Sequence, residues 1–151
     1  NGIFSLDKNK HHEIRTTINH LTENTKSYQL IKSVLEDSSK AVYQGKIYVN
    51  SVAQKTDGYQ LSKAILLNKD SEFNAKPELE IYADDVKCAH GSAVGELDEE
   101  ELFYLRSRGI PYAQAKSILV ESFLSEVIDK FDLGELTDTF RRRITDWIQA
   151  D

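Results

Sequence analysis

Apolar and polar residues alternate through the first two thirds of the chain and then fall into helical spacing. Short strands are expected at Ile14–Ile18, Tyr28–Leu35, Ala41–Val49, Ala64–Leu67, Leu79–Tyr82 and Val86–Ala89, in apolar or alternating segments. Ile14, Leu30, Ile47, Ile65 and Ile81 sit in these segments at intervals of 16, 17, 18 and 16 residues. A spacing of this kind suits a parallel β-solenoid whose coils stack on one another. An antiparallel sandwich is the competing architecture. Turn chemistry is expected at Asn1-Gly2, Asp57-Gly58 and Asn68-Lys69-Asp70.

From Asp98 the period changes. Asp98-Glu99-Glu100-Glu101 is a helix start: the Asp98 carboxylate can cap the first free amides, Glu101 takes the capping-box position, and the acids face the positive end of the dipole. Gly109 can end that helix, and Pro111 suits the first turn of the next. On the second helix Tyr112, Leu119, Phe123, Val127 and Phe131 form a stripe that Ile118, Val120, Leu124 and Ile128 widen. So wide a stripe implies contact with more than one element. After Gly134, Leu136, Phe140, Ile144, Trp147 and Ile148 mark a third helix. The expected helices are 98–108, 111–131 and 136–149. The expected division is a β part, residues 1–95, and a helical part, residues 96–151.

Charge sharpens this division. Residues 1–95 carry 12 Lys and Arg against 12 Asp and Glu, while residues 96–151 carry 7 against 13. The net charge of −6 argues against a general nucleic-acid surface. The acidic end suits a basic partner or a solvated helix face. No apolar run approaches the roughly 18 residues of a membrane span. The single cysteine cannot form an internal disulfide and fits a reducing compartment.

That cysteine, Cys88, lies two residues before His90. On a strand, side chains at i and i+2 share a face. Thiol and imidazole both ligate soft or borderline metals, but two ligands cannot close a four-ligand site. If the pair binds metal, the remaining ligands come from elsewhere, which points to a subunit of an assembly. The structural alternatives are a core thiol packed beside Val86 and an imidazole bonded to the strand-to-helix turn beside Gly91. His11 and His12 face opposite ways on a strand, and His20 is isolated, so surface or turn roles are expected for all three. Arg141-Arg142-Arg143 reads as a solvated face balancing Asp138 and Asp146, or as a contact for an acidic partner. The chain contains no phosphate-cradling GxxxxGK[ST] motif, and no CxxC, HExxH or GxSxG.

VKCAHGSAVGELDEEELFYLRSRGI, residues 86–110, resembles the signature of the SufB/SufD family of iron–sulfur cluster assembly scaffolds. KTDGYQLSKAILL (55–67) and KPELEIYADDVKC (76–88) fit the same family. The run Lys87-Cys88-Ala89-His90-Gly91 favours its SufD branch. Members are usually much longer, so the chain looks like a C-terminal fragment. The resemblance implies a right-handed parallel β-helix followed by a helical domain. It also implies a cytoplasmic, non-catalytic scaffold that works with a SufB-like scaffold and a SufC-like ATPase, with no nucleic acid and no membrane. An iron–sulfur cluster or its iron precursor would be held only transiently, in the complex. His90, and more weakly Cys88, would lie at the boundary with the SufB-like subunit. The ATPase would dock on the segment bearing Phe103, Tyr104, Arg106 and Ile118. A β-helical carbohydrate-active enzyme or adhesin fragment is the alternative.

Overall fold

A computed structural model describes residues 1–130, 134 and 136–149. Seven strands come first: β1 (Gly2–Leu6), β2 (His11–His20), β3 (Lys26–Leu35), β4 (Lys40–Val49), β5 (Asp57–Leu66), β6 (Glu72–Ile81) and β7 (Lys87–Gly95). Three helices follow: α1 (Glu99–Ser107), α2 (Tyr112–Asp129) and α3 (Leu136–Gln149). Successive strands alternate between two parallel sheets, β1-β3-β5-β7 and β2-β4-β6. This is a parallel β-solenoid with two strands per turn, as the sequence pattern indicates.

The register defines the coil. Gly2 stands beside Ile31, Lys26 beside Asp57, and Asp57 beside Lys87, so one complete turn takes about 30 residues. The interval of 16 to 18 residues seen in the sequence is therefore half a turn, the step from one sheet to the other. The residues that stack along the axis are different ones: Ile18, Ile47 and Leu79 are successive register partners. Most strands are also longer than their apolar kernels. Polar residues such as Gln60 and Ser62 are fully buried within β5, which hides the strand from a hydrophobicity pattern.

The turns carry the strain of this winding. Asn9, Asn24, Asp37 and Ser38 adopt positive φ at the corners, a conformation that Asn and Asp accept at low cost. Corners stack as the strands do: the Asn24 amide donates to the Gln54 carbonyl at 2.9 Å, and the Lys55 amide to Asp85 at 2.6 Å. Asn68–Asp70 forms a turn as expected, whereas Asp57-Gly58 begins β5 and Gly2 begins β1. Gly58 lies inside the coil on a strand rather than in a turn.

Helix α1 begins where its sequence says. Asp98 Oδ1 accepts from the amides of Glu100 and Glu101, at 2.8 and 3.0 Å. Gly109 ends it at φ +86°. Helix α2 lies on the outer face of the β1-β3-β5-β7 sheet, where Val34 packs with Val120, Leu124, Ile128 and Ile144. Of the widening residues, Val120, Leu124 and Ile128 are buried, together with Val127 of the stripe, whereas Ile118 is exposed; Phe131 falls outside the described residues. Burying each such side chain contributes about 1.5–3 kcal/mol.

Ionic contacts then lock the helix in place. Lys32, only 2% exposed in the middle of β3, donates to the Phe123 carbonyl at 2.6 Å and pairs with Glu126. Its ammonium also lies 4.2 Å from the Phe123 ring centroid. Lys116 pairs with Glu36, and Lys130 donates to Tyr28 Oη at 2.9 Å. Arg141 does not balance Asp138 or Asp146; it bridges α3 to Asp129 of α2.

Candidate functional site at the open end of the solenoid

β7 is the last strand of its sheet, and the opposing sheet stops one strand earlier, at β6. The inner face of β7 therefore forms the rim of the coil. Register partners in a parallel sheet point the same way. Gly58, Gln60 and Ser62 are buried inward on β5, and they stand beside Cys88, His90 and Ser92. The Ser62 and Ser92 hydroxyls meet at 3.2 Å, and Cys88 Sγ lies 3.4 Å from the position a Cβ on Gly58 would take. Cys88 and His90 thus share one face, at the open end.

The two groups differ in environment. Cys88 is half-buried and packs with Val86 and Leu79 against Ile47, Val49, Ala53 and Ala83. Burial pushes its thiol pKa up, the Gly58 backbone draws it down, and the charge of Asp57 raises it further. His90 is exposed and sits mid-strand, not against a strand-to-helix turn. Gly91 likewise makes no turn. A Cβ there would stand 3.0 Å from Leu61 Cδ1, so the glycine allows β7 to approach β5 closely. Among the described residues, no group of three or more His, Cys, Asp and Glu side chains could hold a metal ion.

Beneath the rim is a histidine that sequence reasoning misplaced at the surface. His20 is buried inside the coil, with Nε2 3.6 Å from the same Gly58 Cβ position. Its Nδ1 lies 2.7 Å from Thr25 Oγ1 and its Nε2 2.9 Å from Ser27 Oγ. The Thr25 hydroxyl also lies within hydrogen-bond distance of the Thr22 carbonyl and of Thr56 Oγ1, so hydroxyls hold both ring nitrogens of His20. Burial holds the His20 pKa below the ordinary histidine value. Its place at the inner end of an alternating strand was the available signal. His11 and His12 are exposed on β2.

The second surface lies between α1 and α2. Phe103 is 74% exposed, and Tyr104 and Ile118 are exposed beside it. They line one open groove with Leu119, and Glu99, Glu100 and Glu101 stand along it. Arg106 projects toward the Tyr112 ring, 5.8 Å from its centroid. Arg108, not singled out in the sequence, donates to Tyr104 Oη at 2.8 Å. No helix among the described residues is long and apolar enough to cross a membrane.

Residues 1–123 match the core domain of the SufB and SufD proteins of the SUF system for iron–sulfur cluster assembly. The iron–sulfur cluster assembly protein SufD of Escherichia coli K12 is 43% identical over 129 residues, which are 85% of this chain and 30% of that protein. The chloroplastic protein ABCI7 of Arabidopsis thaliana is 44% identical over 119 residues, 78% of this chain and 25% of that protein. A SufBD family protein of Mycobacterium bovis, Mb1497, is 33% identical over 158 aligned positions, 99% of this chain and 39% of that protein. The chain thus spans between a quarter and two fifths of the length of these relatives.

Proposed function

This chain belongs to the SufB/SufD family of iron–sulfur cluster assembly proteins, and we propose that it serves there as a non-catalytic, cytoplasmic scaffold. Its β-helical part, residues 1–95, meets a SufB-like scaffold, and its helical part, residues 96–151, meets a SufC-like ATPase. The cargo is an iron–sulfur cluster or its iron precursor, held transiently at a site shared between subunits. The observation that carries this reading is the unopposed inner face of β7, where Cys88 and His90 look out of the end of the coil. Two side chains supply at most two of the ligands that iron in a cluster requires, and a partner's thiolates complete the set.

Between the two, His90 is the stronger ligand candidate. A neutral imidazole offers its lone pair without losing a proton, and His90 is exposed. Cys88 must first ionise, and burial opposes that. The helical surface supports the ATPase contact by its composition. Exposed aromatic and aliphatic side chains in a groove, with Arg106 on the same helix, are residue types that anchor interfaces.

The test uses this chain with SufB-like and SufC-like proteins under anaerobic conditions. Tyr104→Ala with Arg106→Ala weakens copurification of the ATPase while the solenoid stays folded. His90→Ala abolishes cluster formation in the complex, and Cys88→Ser reduces it less. Undiminished cluster yield from the His90→Ala complex overturns the ligand role. Unchanged ATPase binding by calorimetry removes the docking assignment.

A further inference from the structure

Helix α1 has nine residues, and none of them is buried. So short a helix is unstable in isolation, where roughly 12–15 residues are needed for even marginal stability. Its cap and its contact with α2 hold it in place, yet its largest apolar side chains stay outside. Phe103 and Tyr104 are exposed, and so is Ile118, which lines the same groove from α2. Large apolar side chains gathered on one exposed surface mark an interaction site.

Capping does not account for the acids along this groove. Asp98 alone receives the free amides of Glu100 and Glu101. The Glu99, Glu100 and Glu101 carboxylates make no hydrogen bond or ion pair among the described residues. The helix dipole asks only that acids sit in the first turn. Here all three also line the groove, and no Lys or Arg lines it with them. The nearest arginines are turned to rings: Arg106 to Tyr112 and Arg108 to Tyr104, 5.8 and 5.0 Å from the centroids. The groove therefore has an apolar floor and an acidic edge that nothing on its own surface neutralises.

We propose that this groove takes a cationic segment of the ATPase. One or two large apolar side chains of that segment seat between Phe103 and Ile118, and Lys or Arg residues beside them pair with Glu99, Glu100 and Glu101. This rests on the reading of α1 and α2 as the ATPase contact and adds the charge of the surface that docks there. The two parts of the groove then act on different rates. Charges at an exposed edge steer encounter and set its salt dependence, whereas apolar anchors slow departure.

Surface plasmon resonance with this chain immobilised and the SufC-like ATPase in solution separates those rates. Wild-type association slows as ionic strength rises from about 0.01 to about 0.15 M, because the Debye length shrinks. Glu99→Gln with Glu100→Gln and Glu101→Gln lowers the association rate about tenfold at low salt and removes most of that salt dependence. The variant keeps Asp98 and with it the helix cap. Phe103→Ala leaves association and its salt dependence in place and speeds dissociation about 30-fold. Wild-type association that is indifferent to salt, or faster at high salt, overturns the proposal whether or not the triple variant folds. A triple variant with wild-type association and salt dependence overturns it equally. Undiminished binding by Phe103→Ala and by Tyr104→Ala with Arg106→Ala instead defeats the docking reading itself, so the two failures are distinguishable.

Discussion

Gly58 and Cys88 are register partners on adjacent parallel strands, and the thiol sulfur stands 3.4 Å from the position a Cβ on Gly58 would occupy. That distance is ordinary van der Waals contact, and Ile47 Cγ2, also at 3.4 Å, and His20 Nε2 at 3.6 Å leave the same room. A methyl group therefore fits at residue 58 but not at residue 45, where Gln60 and Tyr43 already fill the space. Gly58→Ala is expected to stabilise the chain by about 0.4–1 kcal/mol through a less flexible unfolded state. Gly45→Ala is expected to destabilise it by about 1–3 kcal/mol through overpacking. Urea unfolding of the two variants checks the opposite signs.

Cys88 is expected to be a slow nucleophile. Burial raises its pKa, so the thiolate fraction at neutral pH is smaller than for a free thiol. Iodoacetamide alkylation followed by mass spectrometry should run slower than that of a cysteine-containing peptide, with a rate that climbs into the alkaline range. Gly58→Ala should slow it further by covering the sulfur. A rate equal to the peptide's at pH 7 contradicts the packing described for Cys88.

His20 makes stability depend on pH. Its folded-state pKa is depressed by burial, so it stays neutral in the folded chain while the unfolded chain protonates near the ordinary value of about 6.5. The unfolded state binds more protons in that window, and stability rises with pH there. The contribution is present above about pH 6.5 and is lost as the pH falls from there toward the folded-state value. Denaturation between pH 5 and 7.5 should show this slope, and His20→Gln should flatten it. An unchanged slope in the variant assigns the pH dependence to other groups.

Lys32 and Glu126 hold α2 on the sheet unequally. Removing the carboxylate leaves an ammonium enclosed beneath the helix, with only the Phe123 carbonyl and ring to receive it. Glu126→Ala is expected to cost about 2 kcal/mol, short of the roughly 3–5 of a fully enclosed pair because Glu126 is partly in water. Lys32→Met keeps the buried stem and removes the charge, and is expected to stay within about 1 kcal/mol of the wild type. Thermal melts of both variants and their combination separate the pair term from simple packing. A larger loss for Lys32→Met than for Glu126→Ala overturns this ordering.

The acidic start of α1, its glycine stop, the proline that opens α2 and the presence of three helices were legible in the sequence because they rest on local chemistry. Asp98 caps whatever helix follows it, and Gly109 takes its conformation wherever a helix ends. Alternation revealed strands, since period two follows from the pleat alone, but the spacing of 16 to 18 residues taken for a coil is only half of one. Placing Cys88 and His90 on one face needed no more than that same parity. Which strands stack was a tertiary decision. The pairing of Ile18 with Ile47 and of Ile47 with Leu79 spans a whole turn, and the corners set its length. The solenoid also buries two polar residues, one of them the histidine expected at the surface. His20 and Lys32 look like surface residues, but the coil gives one two hydroxyls and the other a carboxylate and a carbonyl, so both are buried with partners. The open end is the clearest case. Nothing along the chain marks β7 as unopposed; that follows only because the strands alternate between two sheets and the last one belongs to the longer sheet.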